Sequence, residues 1–400
     1  MQIVKNYFVT QRAAFSGLGV DAQSMTPAGS DRIFKNPLQY LLLFFLTVSQ
    51  YLSLGHYSYV NTNDIISAAY SIGLSCQGVI CITKMIIFFF KRRGIVELVK
   101  TLQTEAFNAK DEELEIIREE NTKCVRYSWL YSLVIYGTGT MGLMVPIILS
   151  LIGYFKSGSL RMVPPLSSPS LWNYYTIHGY LMLYVWYILR MFTLICTTVS
   201  IDTLYYWLIS NIVAQFHILV HRLQKAAWAT AALNGSEIGV SEEQEDRIID
   251  CIRVHNRTLD LVGELNRVYG AITFVKFVVS SIQICCSMFF VISSGSQQSA
   301  ISLIYQGVFI GAVTLQLATY CYNGQRIVDE STLVATKVYL IFPWAQMPVS
   351  TQRKLLMPMV RAQVPSEMRG VFFKVDLTLF LWVFRSASSL MAVLQTLDEP

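Results

Sequence analysis

Apolar runs long enough to cross a ~30 Å hydrocarbon layer recur at residues 37–60, 64–90, 126–155, 174–202, 262–292, 299–323 and 371–396. Between them lie turn-like or charged separators such as "HYSYVNTND", "KRRGIVELVK", "SSGSQQS" and the long stretch after Gly324. The pattern predicts an all-α chain, a seven-transmembrane helical bundle. Several separators keep a helical period of their own. In "EEQEDRIIDCIRVHNRTLDLVGEL" the apolar positions Ile248, Ile252, Leu259 and Val262 recur at helical spacing and lead straight into the fifth span. The fourth run continues through "TLYYWLISNIVAQFHILVHRLQ", so residues 174–224 would extend about 75 Å at ~1.5 Å per residue. After Gly324, "QRIVDESTLVATKVYLI" and "STQRKLLMPMVRAQ" read as two more amphipathic helices, separated by the breakers Pro343 and Pro348. The chain thus divides into an N-terminal segment at 1–36, spans one to six at 37–323, amphipathic helices at 324–370 and a last span at 371–396.

Composition agrees with a membrane setting. At 53% hydrophobic and 14% charged residues, the chain has more apolar surface than a soluble domain covers. Its first residues lack the apolar core and cleavage site of a secretory signal, so the first span is expected to serve for insertion and the amino terminus to be retained. The basic residues set the orientation. Lys5, Arg12, Arg32 and Lys35, the eight from Lys91 to Arg126, the five from Arg222 to Arg257 and the six from Arg326 to Arg369 fall on one side. The other side holds Lys156 and Arg161. The positive-inside rule then predicts a cytosolic N-terminus and an extracellular C-terminus. This orientation disfavours a metabotropic seven-span receptor of the G-protein-coupled kind, which stays the alternative reading, although "NPLQY" (Asn36 to Tyr40) mimics a receptor motif; here Asn-Pro more simply starts a helix. The sequons at Asn234 and Asn256 fall on the cytosolic side and are expected to stay unglycosylated.

Candidate chemistry is sparse. The eight cysteines lie in apolar or cytosolic segments and read as small buried hydrophobes, with no disulfide framework. His217 and His221 share a helix face but lack the glutamate of a zincin motif, so neither a metal nor a cofactor is expected. Nothing points to an enzyme or to nucleic acid, and no inverted repeat of broken helices suggests a transporter. The amphipathic extensions either lie on the lipid surface or pack as a cytosolic assembly anchor where subunits meet.

Two regions could carry function. In the last span Lys374, Thr378, Leu381, Arg385 and Ser388 fall on one face at about 100° per residue, a polar stripe suited to a pore. Lys374 and Asp376 could instead snorkel to the cytosolic end, and Arg385 could pair with a neighbour. In the outer halves of spans two to six, Ser71, Ser75, Thr138, Met141, Tyr184, Tyr187, Met191 and Tyr305 would line a mostly apolar cavity with a few hydroxyls. Beyond Asp64 at the rim those halves hold no carboxylate, so the site suits a small neutral molecule better than an amine.

The C-terminal part resembles the insect odorant receptors. The resemblance rests on "TYCYNGQRIVDES" closing the sixth span, "RKLLMPMVRAQVPSEMRG" leading into the last and "LFLWVFRSASSLMAVL" finishing it, within residues 319–395. It implies the odorant-binding subunit of a heterotetrameric, odorant-gated, non-selective cation channel. The implied partners are a shared odorant co-receptor, a small neutral volatile ligand and membrane lipid, with the last span lining the pore and the cytosolic helices forming the anchor. The implied location is the plasma membrane of the olfactory sensory neuron dendrite. The co-receptor has a longer second cytosolic loop than the short "ATAALNGSEIGVS" here, which marks an odorant-specific subunit. The last span also lacks the paired motifs of gustatory receptors. Arg385 departs from the small or apolar residues that the resemblance leads one to expect there.

Overall fold

A computed structural model describes residues 9–27, 29, 32–60, 64–158, 163, 176–232, 242–294 and 299–398. The helices are α1 (Val9–Gly17), α2 (Pro37–Val60), α3 (Ile65–Asn108), α4 (Asp111–Ser157), α5 (Ile177–Ala232), α6 (Glu242–Ser293), α7 (Ala300–Ile341), α8 (Val349–Ala362) and α9 (Leu377–Asp398). A two-residue hairpin, β1 (Arg369–Gly370) against β2 (Phe373–Lys374), precedes α9. Local chemistry sets the ends. Pro37 opens α2, where its missing N–H costs nothing. Asp64 caps α3 by accepting from the Ser67 amide at 3.1 Å. The first turn of α4 carries Asp111, Glu112 and Glu113 against the positive end of the helix, and Gly158 closes it with φ of 66°.

Six helices, α2 to α7, are long and apolar enough to cross a membrane. α9 is shorter: its apolar part, Leu377–Val393, covers about 26 Å at ~1.5 Å per residue. The predicted last span at 371–396 is therefore trimmed at its start. Asp376 accepts from the Leu379 amide at 2.8 Å and caps α9 there, while Lys374 lies on β2 and ion-pairs with Glu367. The helical face assumed from the sequence thus loses Lys374.

Helices α3 to α7 run well past membrane length, and their charged ends bind one another. Arg222 on α5 holds Glu113 on α4 at 2.8 Å and Asp250 on α6 at 3.2 Å. Arg326 on α7 reaches Glu120 on α4, and His217 on α5 meets Glu330 on α7 at 3.1 Å. His221 turns to Glu112 at 2.9 Å, so the two histidines engage separate carboxylates. α8 adds to this end through Lys354 and Glu245, and Leu355 is buried beneath it. Gly324 is the point of closest approach: a β-carbon there would overlap the carbonyl oxygen of Val375, so α7 continues straight while the chain entering α9 crosses it.

Two features of the N-terminal part and the cysteines complete the picture. All eight cysteines are buried and free, as small hydrophobes would be. The polar-looking segment before residue 36 is not a loose tail in its described part: Phe15, Leu18 and Met25 are buried, and Gln11 donates to the Thr203 carbonyl of α5 at 3.2 Å. Asn256 sits exposed on α6, whereas Asn234 lies outside the described residues.

The charged end titrates in two opposed ways. The hydrogen bond to Glu330 raises the His217 pKa, so its contribution to stability is full below pH ~6.5 and fades as pH rises through the raised value. Burial beside Arg361 pushes His255 down to about 4, so its contribution is full above pH ~6.5 and is lost as pH falls toward 4. Thermal unfolding of the purified protein between pH 6.5 and 4 should show a smaller acid loss in His255→Asn than in the wild type. An identical slope in both would remove His255 as its cause.

Candidate functional site

The interior of the bundle carries charge where an apolar environment makes it most costly. Asp202 on α5 is fully buried, as are Lys84 on α3 and Lys276 on α6. Lys84 Nζ lies 2.7 Å from Asp202 Oδ1 and Lys276 Nζ 3.2 Å from Oδ2. Tyr131 of α4 donates to Oδ2 at 2.6 Å and Tyr320 of α7 to Oδ1 at 2.7 Å. One carboxylate thus joins five helices. The environment tightens around Tyr320, whose ring stacks on Tyr205 at 4.4 Å and lies beneath Lys276 Nζ at the same distance.

A cavity of about 50 Å³ adjoins this junction, between α2, α3, α4, α5 and α7. Gln316 forms part of its lining and accepts from Lys276 Nζ at 3.1 Å, so the wall of the cavity is continuous with the ion cluster. Tyr51, Thr138, Met191, Tyr305 and Phe309 supply much of the rest. Arg190 also lines it, 4% exposed, with its guanidinium 4.7 Å from the Tyr187 ring centre and 5.4 Å from that of Tyr51. A larger, open groove of about 870 Å³ lies elsewhere and is lined by Arg32, Arg92, Arg93, Lys100 and Arg257. Its exposed cations make it a poor place to desolvate a small apolar molecule.

Of the residues predicted to meet a ligand, Thr138, Met191 and Tyr305 line the enclosed cavity. Tyr187 stands behind Arg190, its hydroxyl donating to the Gly142 carbonyl at 3.4 Å. Ser71 and Ser75 bond back to carbonyls one turn earlier in α3, at 2.9 and 2.8 Å. Tyr184 donates to the Leu143 carbonyl, and neither it nor Met141 lines the cavity. The pattern missed four charges: Lys84, Arg190, Asp202 and Lys276. Their signal was present, since an ionisable group inside an apolar run is costly and marks a site by default. Arg190 and Asp202 share the fourth run while Lys84 and Lys276 stand in two others, and only the fold brings Lys84, Asp202 and Lys276 together.

On α9, Thr378, Leu381, Arg385 and Ser388 are all exposed, while Val375, Leu379, Val383 and Ala387 are buried against the bundle. The polar stripe therefore faces away from this subunit's own core. Ser388 donates to the Phe384 carbonyl at 2.9 Å.

A family model described as 7tm odorant receptor matches residues 63–388. The chain is 29% identical to Odorant receptor 45a of Drosophila melanogaster, over 98% of this chain and 99% of that one. It is 22% identical to Odorant receptor 9a of the same organism, over 95% and 93%. Its fold matches the insect olfactory receptor OR5 from Machilis hrabei in complex with eugenol, with a TM-score of 0.75 and 13% identity over 98% of this chain and 97% of that one. A second structure of OR5 from Machilis hrabei matches with a TM-score of 0.74 and 13% identity over 99% of this chain and 97% of that one.

The ion cluster makes a direct demand on mutants. Asp202→Ala leaves two buried lysines without a counter-charge and should destabilise the protein by ~3–5 kcal/mol, read as a lowered unfolding temperature. Replacing Lys84, Asp202 and Lys276 together by Met, Leu and Met should recover much of that loss, because no charge of the junction remains buried without its partner. A triple variant as unstable as the single one would count against the pairing.

Proposed function

Since this chain belongs to the 7tm odorant receptor family, we propose that it is the odorant-binding subunit of a heteromeric, ligand-gated, non-selective cation channel. It assembles with a co-receptor subunit in the plasma membrane of olfactory sensory neurons. In this reading the amino terminus is cytosolic, α2 to α7 and α9 supply seven spans, and the charged extensions of α3 to α8 form the anchor. The odorant enters the cavity lined by Thr138, Met191 and Tyr305. The exposed stripe of Thr378, Leu381, Arg385 and Ser388 lines the pore, with Lys374 at its inner mouth.

The observation that carries the reading is the pairing of a cavity inside the bundle with an outward face of α9 that exposes Thr378, Arg385 and Ser388 among Leu381, Trp382 and Leu390. A single subunit gains nothing from presenting Arg385 and Ser388 outward to lipid, whereas a ring of such faces can enclose water. The fold neighbour described in complex with eugenol supports a small neutral ligand by likeness of fold. The cavity is narrow, so ligand entry requires side-chain movement, and Met191 is the most adaptable of its walls.

Cells expressing this chain with a co-receptor should give inward currents to members of a panel of neutral aromatic, heterocyclic and ester volatiles. Arg385→Glu should change the relative permeability of cations without shifting the odorant concentration for half-maximal response. Surface-expressed chain that yields no current to any member, or Arg385→Glu with unchanged selectivity, would contradict the corresponding part.

A further inference from the structure

The Arg190 guanidinium is buried with part of its hydrogen-bonding capacity unused. It is 4% exposed, its Nη2 meets only the Met191 sulfur at 3.1 Å, and its Nε and Nη1 have no hydrogen-bond acceptor. The rings of Tyr187 and Tyr51 approach it at 4.7 and 5.4 Å, which compensates charge, and the Tyr187 hydroxyl interacts with it, while Nε and Nη1 stay without an acceptor. Among the described residues no carboxylate pairs with it. Asp202 is already bound by Lys84, Lys276, Tyr131 and Tyr320. Glu113 and Glu120, the other buried carboxylates among the described residues, are engaged by Arg222 and Arg326 at the charged end.

Arg190 lines the enclosed cavity, and so does Thr198, whose buried hydroxyl has no partner either. Buried donors that converge on one small space specify what fits there, because a ligand without acceptors leaves them unmet. We propose that this cavity selects ligands bearing an accepting oxygen, a carbonyl or a carboxylate, which docks on the free N–H edge of Arg190. The inference rests on the cavity being the odorant site and names the ligand class for it. Hydrocarbons leave the donors unmet, and protonated amines meet a like charge at close range. The free volume of about 50 Å³ suits the oxygen-bearing group, and the apolar body displaces Met191. Arg190 is then a specificity residue that contacts the ligand directly.

The test uses the purified full chain and one carbon skeleton: octane, octylamine, 2-octanone, octanal, a methyl ester and octanoate. The readout is the ligand concentration giving half-maximal thermal stabilisation. In the wild type the oxygen-bearing compounds should act at a concentration about tenfold or more below octane and octylamine, as a hydrogen bond to a charged group requires. The ranking of octanoate against the ketone tells which acceptor the site prefers. In Arg190→Met the advantage should vanish, while Arg190→Lys keeps part of it. Equal potency across the panel in the wild type, or an undiminished ratio in Arg190→Met, overturns the proposal. If Arg190→Met does not fold, the wild-type ratios decide alone. Because binding is read without current, an intact ratio in a chain that gives no current with a co-receptor contradicts the channel and leaves this inference standing. No stabilisation by any compound overturns this inference and the placement of the odorant site together.

Discussion

A carboxylate cannot remain ionised inside an apolar bundle without partners, and Asp202 has gathered four of them from four different helices. Lys84, Lys276, Tyr131 and Tyr320 each arrive from a different helix and meet at one fully buried carboxylate, so the geometry at Asp202 constrains the relative depth and rotation of all five. Hydrophobic packing alone does not do this in lipid, where the alternative environment is as apolar as the interior. The polar cluster supplies the register, and the apolar surfaces around it fill the space.

The cavity and the last helix both depend on that register through α7. Its first half gives Tyr305, Phe309 and Gln316 to the cavity, its middle gives Tyr320 to Asp202, and Gly324 lies against the Val375 backbone at the approach to α9. A ligand that moves Tyr305 or Gln316 therefore acts on an element that also touches the base of the proposed pore helix. Beyond Gly324, the same helix joins the charged end through Arg326 with Glu120 and Glu330 with His217. One continuous helix links the cavity, the buried junction and the charged end, which gives the proposed channel a physical route for coupling.

Much of this was legible in the sequence because apolar runs and helical periods are local properties. The six membrane-length helices among the described residues, their long extensions, the breakers around Pro343 and the helix start at Pro37 follow from residues close together in the chain. "TYCYNG" is legible as the close of the sixth span, and the fold makes Gly324 a point of close approach to the chain entering α9. What escaped was long-range. Lys84, Asp202 and Lys276 are single charges in separate runs, and no period reveals that they meet. The ligand residues were chosen by hydroxyl and aromatic content, which does not distinguish Ser71 and Ser75, satisfied by their own helix, from Thr138 and Tyr305 on the cavity wall. The start of α9 was misplaced because Phe372 and Phe373 prolong the apolar run although the backbone turns there in a hairpin.

Hydrogen–deuterium exchange of the purified protein, wild type against Asp202→Asn, tests the central claim most directly. If Asp202 sets the register of five helices, the substitution should speed exchange around Lys84, Tyr131, Asp202, Lys276 and Tyr320 together. Faster exchange confined to α5, with the other four helices as protected as before, would contradict it.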